Sequence, residues 1–126
     1  MDAREKTFNI HRTVLFDRCI EELQMKGGMA EVATKKAVDF INAVTDGEEQ
    51  KVQEKFSFTR HGEALIRYCR KIDLGSGYRL VCLLKDSHCV LLYARSHDDC
   101  SRWLMRNRRM NCELKDVASS GTIARP

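Results

Sequence analysis

Apolar residues recur with a period of two in some stretches and near 3.6 in others, and this pattern orders the chain. Thr7–Arg12 alternates, with Phe8 and Ile10 on one side, and reads as a short strand suited to a sheet edge. Thr13 can cap a helix that begins at Val14 and carries Phe16, Cys19, Ile20 and Leu23 on one face. Gly27-Gly28 ends it, and a second helix is predicted from Met29 to Val44 with the stripe Val32, Ala33, Ala37, Phe40, Ile41 and Val44. Asp46-Gly47 stops that helix, so the two form a helical hairpin. Glu48–Lys55 is polar without a clear period, a loop or a third helical turn, and Phe56 and Phe58 are placed to pin it to the core.

Alternation returns from Ile66 to Leu74, which reads as a strand, with helix as the alternative for its first half. Gly75-Ser76-Gly77 is a turn. Tyr78–Lys85 and His88–Arg95 are strands joined by the two-residue turn Asp86-Ser87. Ser96, with Asp99 three residues on, has the spacing of a capping box and predicts a helix from His97. Its apolar stripe is Cys100, Trp103 and Leu104, and its basic face is Arg102, Arg106, Arg108 and Arg109. Beyond Met110 the periodicity is lost. Residues 1–110 therefore read as one domain and residues 111–126 as a flexible tail. The order β-α-α-β-β-β-α predicts an α+β domain: a small, mostly antiparallel twisted sheet with the helical hairpin packed on one face.

Plain pairing about Asp86-Ser87 sets Lys85 against His88, Val81 against Leu92 and Arg79 against Ala94, with Leu80 against Tyr93 and Tyr78 against Arg95. By alternation Arg79 and Arg95 then point to opposite faces, and only a bulge would change that. The open end of this hairpin gathers Tyr78, Arg79, Arg95, Ser96 and His97, and the preceding strand brings Arg70 and Lys71 near.

Composition narrows the classes. A chain of 126 residues fits one domain, and a net charge of +4 permits a nucleic-acid or acidic-protein partner without demanding one. The six cysteines include no C-x-x-C pair, which removes the common zinc and thioredoxin-like motifs. Most lie in apolar runs, and they read as reduced thiols of a cytoplasmic protein. No apolar run approaches the ~18 residues of a membrane helix, so no membrane partner is expected. No metal or cofactor is implied.

Cations at the end of a sheet beside a histidine suit phosphodiester chemistry. Cleaving RNA by transesterification requires the 2′-OH to lose a proton, the charged phosphorane to be stabilised, and the leaving 5′-oxygen to gain a proton. Arginine binds phosphate oxygens with a planar, permanently charged fork, and histidine exchanges protons near neutral pH. Each residue also has an ordinary reading: Arg79 as a surface arginine of an outer strand, His97 as the first residue of a helix.

The segment KIDLGSGYRLV (Lys71–Val81), the hairpin after it and the closing strand–SHDD–helix resemble the RelE/ParE superfamily of toxins from bacterial type II toxin–antitoxin systems. The resemblance covers roughly residues 7–107, element order included, and lies closest to the RelE-like branch. It implies a ribosome-dependent mRNA endonuclease (an mRNA interferase) acting in the ribosomal A site and silenced by a cognate antitoxin. By position, Arg79 matches the strand arginine at the scissile phosphate, His97 the late general acid or base, and Lys71 and Arg70 the basic residues of the preceding strand, which the resemblance implies are catalytic at Lys71 and substrate-binding at Arg70. His61 falls where some members carry a further histidine. Arg95 and Arg102 are the remaining cations expected to bind substrate. Tyr78 reads as structural, and Trp103 as packing the last helix. The same fold also serves ParE-like gyrase inhibitors and would serve a noncatalytic interaction module. The oligomeric state and codon preference are not legible.

Overall fold

The computed structural model describes residues 9–47, 68–85 and 87–108, together with the backbone of residues 58–59 and 123–124. The elements are β1 (Asn9–Thr13), α1 (Val14–Lys26), α2 (Gly28–Thr45), β2 (Phe58–Thr59), β3 (Cys69–Gly75), β4 (Tyr78–Lys85), β5 (His88–Ser96), α3 (His97–Arg106) and β6 (Ile123–Ala124). The chain is an α+β domain, and its sheet runs β2-β3-β4-β5-β1-β6.

Two expectations need correction. The sheet is mixed: β1 pairs in parallel with β5, while the other pairings are antiparallel. β1 is also not an edge, since Ile123–Ala124 pairs with its far side. The cause is topological. After β1 the helical hairpin carries the chain across to the β2–β3 side, and two tight turns then walk it back, so β5 arrives beside β1 pointing the same way.

Local chemistry fixes the joints. The Thr13 hydroxyl accepts from the Phe16 N–H at 3.1 Å, capping α1, and itself donates to the Leu91 carbonyl at 2.8 Å. One side chain thus ends β1, starts α1 and ties both to β5. Gly27, at φ 72°, closes α1 and opens α2 in a backbone region that costs glycine little. Phe16, Cys19 and Leu23 of α1 pack against Ala33, Ala37, Phe40 and Val44 of α2 and the strands in one core. Val32 does not belong to that stripe and is 51% exposed. It lies about 100° round the helix from Ala33 and cannot share its line. Ile41 is half-buried beside the core.

The β4–β5 hairpin is the centre of the sheet, and its register differs from plain pairing. Lys85 faces His88, but between Val81 and Cys82 the register shifts. Cys82 faces Leu91 and Val81 faces Tyr93, so β5 spends one extra residue, Leu92, at that point. The Leu92 carbonyl lies 3.4 Å from the Thr13 hydroxyl, where β1 leaves the sheet. Beyond the bulge Leu80 faces Ala94, Arg79 faces Arg95 and Tyr78 faces Ser96. Every pairing expected between Tyr78 and Val81 is therefore displaced by one residue.

The α3 prediction fits the structure at its start. Ser96 caps the helix, its hydroxyl accepting from the Asp99 N–H at 3.1 Å, and Cys100, Trp103 and Leu104 are buried. No helix among the described residues is long and apolar enough to cross a membrane. Phe8, Phe56, Arg109 and Cys112 lie outside the described residues, as does most of the segment read as a tail.

Candidate functional site

The bulge decides the site. Because Arg79 faces Arg95 directly, the two arginines share one face of the sheet, opposite to the expectation from simple alternation. Asp73 faces Arg79 on the other side, and Lys71 faces Val81, which faces Tyr93. Lys71, Asp73, Arg79, Val81, Tyr93 and Arg95 therefore form two neighbouring rows on a single face.

α3 folds back over this face. The Trp103 ring stacks on Tyr93 with centroids 5.3 Å apart and planes 15° apart. The Cys100 thiol lies 3.6 Å from the carbonyl oxygens of both Arg79 and Arg95. Burial pushes this thiol up to about 12, so it stays protonated at neutral pH. The helix start is fixed from the other side as well: the His97 N–H donates to the Gly77 carbonyl at 2.7 Å. Gly77 and Ser76, both at positive φ, form the two-residue turn between β3 and β4. His97 is thereby held against that turn, one residue beyond the Tyr78–Ser96 pair, with its side chain exposed.

Each arginine has an acid. Arg79 donates to Asp73 Oδ1 at 3.0 Å, and the same oxygen accepts from the Gly75 N–H at 2.8 Å. Arg95 is ion-paired with Glu22 of α1 and lies 5.9 Å from the Tyr93 ring centre. Both Nε atoms are sealed from solvent, and the Cys19 thiol lies beside the Arg95 guanidinium.

Lys71 is different. It is 1% exposed, and burial lowers its pKa from the ordinary value. Its electrostatic neighbours are Cys100, Arg79 and Cys69. Burying a cation this way is costly and uncommon.

The remaining sequence candidates are scattered. Arg70 alternates with Lys71 and so lies on the opposite face, where it donates to the Cys69 carbonyl at 3.1 Å. Arg102 is on the exposed side of α3, 2.5 Å from Asp99. Burial works against the Asp99 carboxylate, yet hydrogen bonds from Arg102 and Ser96 hold its pKa below the usual range. His61 lies outside the described residues. The structure thus brings Arg79, Arg95 and Lys71 together and sets His97 at the end of their face.

Sequence reasoning passed over Asp73 and Glu22, the two acids that orient the arginines. Asp73 had a local signal, since a tight turn at Ser76-Gly77 places it within one step of Arg79. Glu22 had none, because its partner is 73 positions away. No protein-family model matches this chain, and no curated protein matches it. Among the described residues no cluster of three or more His, Cys, Asp or Glu side chains is placed to hold a metal ion.

Proposed function

We propose that the chain is the toxin of a toxin–antitoxin pair, an endoribonuclease that cuts mRNA on the ribosome by acid/base transesterification. The observation that carries this reading is the pairing of Arg79 with Arg95 on one face, with His97 one residue past its end. Both arginine side chains keep partial access to solvent, 20% and 34%, where a phosphate can compete with their carboxylates. The 2′-oxygen attacks phosphorus as its proton is removed, the P–O5′ bond breaks, and the 5′-oxygen leaves with a proton. The products are a 2′,3′-cyclic phosphate and a free 5′-OH. His97 is the exposed group suited to one of these proton transfers.

In this proposal Arg79 grips the scissile phosphate and Arg95 adds a second cation. Lys71, shielded from solvent, contributes positive potential behind Arg79 and does not touch RNA. Arg102 serves a flanking phosphate, with His61 as a further substrate contact, while Arg70, on the opposite face, is left out of the site. A cognate antitoxin is the expected protein partner, and the cytoplasm the expected place.

Expression from an inducible promoter should arrest growth and cleave mRNA, and Arg79→Ala or His97→Ala should restore growth. Full toxicity of both variants with intact mRNA would remove the proposal. A second reading has its own support: Lys71 is buried, and each arginine already holds a carboxylate. That suits a ParE-like fold that inhibits gyrase without cutting RNA. DNA supercoiling measured alongside translation separates the two, since a gyrase inhibitor changes supercoiling while translation continues.

A further inference from the structure

His11 and His88 take no part in the site above, yet the sheet brings them together. In the parallel β1–β5 pair His88 faces Asn9 and His11 faces Val90, so Asn9, His11 and His88 stand on the same face. His11 Nε2 lies 3.1 Å from His88 Nδ1, and the ring centroids are 5.3 Å apart with planes 31° apart. Both residues are half-buried, so solvent reaches the pair.

A hydrogen bond between two neutral imidazoles uses one proton. Moved to the donor ring's other nitrogen, that proton stays on the protein and leaves two lone pairs on adjacent strands. Two nitrogens each about 2.0–2.1 Å from one zinc-like ion, at angles between a right angle and the tetrahedral value, stand about 2.9–3.4 Å apart. The observed 3.1 Å falls inside that range. The rings meet nearly end to end, so the ion lies beside the line between the nitrogens, and each ring turns toward it about its own side-chain bonds.

The neighbouring cation is drawn away from the pair. Lys85 faces His88 across the β4–β5 hairpin, but its ammonium lies 4.6 Å from the centre of the Tyr68 ring, towards β3. Asn9 is exposed opposite His88, and its amide oxygen can take a third position on an ion, with water in the rest. Imidazole suits zinc, nickel and copper, whereas magnesium and calcium take oxygen ligands.

We propose that His11 and His88 form a binding site for a divalent ion of the zinc, nickel and copper class, with water in its open positions. The ion joins β1 to β5, the one parallel pairing among the described strands. The site lies at the opposite end of β5 from Arg95 and does not rest on the ribonuclease reading.

The test is calorimetric titration of the full chain with Ni²⁺, Zn²⁺ and Mg²⁺, with the imidazole nitrogens followed by NMR during the Zn²⁺ titration. Ni²⁺ and Zn²⁺ should bind and Mg²⁺ should not. His11→Ala and His88→Ala should each weaken Ni²⁺ at least about tenfold, since even a lost partner of a ligand costs that much. His97→Ala should bind Ni²⁺ as wild type does. Saturating Ni²⁺ should raise the Tm of the wild type and leave that of either pair variant unchanged, because an ion that binds only the folded chain stabilises it. Should a variant fail to fold, the wild type decides: Zn²⁺ should shift His11 Nε2 and His88 Nδ1 together and leave the His97 nitrogens in place. Ni²⁺ and Zn²⁺ affinities weaker than about 1 mM, equal binding of Mg²⁺, undiminished binding in both pair variants, or shifts at His97 in place of the pair would overturn the site.

Discussion

Two halves of one sheet face carry similar charges and treat them in opposite ways. At the open end, Arg79 and Arg95 sit opposite each other, each with a carboxylate and partial access to solvent. One step inward, Lys71 is 1% exposed, with Cys100 and Arg79 as its electrostatic neighbours. The open end holds two part-exposed arginines, each balanced by a carboxylate. The inner half is a cation held at a cost by the helix above it. The difference teaches that proximity in the sheet is not equivalence in role: Lys71 and Arg79 are near neighbours, yet only one can meet a ligand while α3 stays in place.

The largest way to break this contrast is to loosen the helix. Trp103 is buried and stacked on Tyr93. Trp103→Ala should cost about 3–5 kcal/mol in chemical denaturation, from lost burial and the void left behind. It should also raise proton exchange at the amides of β4 and β5 beneath α3. Stability within about 1 kcal/mol of wild type would show that α3 contributes little to covering Lys71.

Removing the buried charge comes next. Lys71→Met keeps the length of the side chain and discards the ammonium, and should stabilise the fold by about 1–3 kcal/mol at neutral pH. The pH dependence has a definite sign. Burial lowers the Lys71 pKa below the 10.5 of a free lysine, so the unfolded chain holds this proton more tightly. Stability of the wild type should therefore rise with pH between the lowered value and about 10.5, and Lys71→Met should flatten that rise. A variant less stable than wild type at pH 7 would mean that the ammonium has a stabilising partner.

A smaller effect concerns the joint that presents His97. Ser96→Ala removes the hydroxyl that caps α3 and should cost about 1 kcal/mol. Ser96→Asp restores an acceptor and should recover most of it. Equal loss in both variants would contradict a capping role.

Much of this was legible in the sequence, and the failures have local causes. The start of α3 could be read from Ser96, Asp99 and the spacing of Cys100, Trp103 and Leu104, because a cap and a stripe are short-range signals. The hairpin helices were legible for the same reason, apart from Val32, where an unbroken apolar run hid which side faces inward. The sheet order was less so. Nothing local to Asn9–Thr13 says that it will lie parallel to a strand nearly eighty residues on. The bulge at Val81 and Cys82 was illegible because both strands are apolar on both faces there, so alternation gives no register. That one residue decided the site: without it Arg79 and Arg95 would lie on opposite faces. The burial of Lys71 was hidden too, since a lysine in a strand ordinarily marks an exposed face.

The most direct measurement is cleavage of mRNA on programmed ribosomes by the purified chain, compared with Arg79→Ala and Lys71→Met. The account predicts that Arg79→Ala loses about a hundredfold or more in rate, the scale for removing one donor from a developing negative charge. Lys71→Met, at a position shielded from solvent, should stay within about tenfold of wild type, since what it loses is only one step of background potential. Cleavage undiminished in Arg79→Ala and abolished in a folded Lys71→Met would place the chemistry beneath α3 and contradict the division of the face.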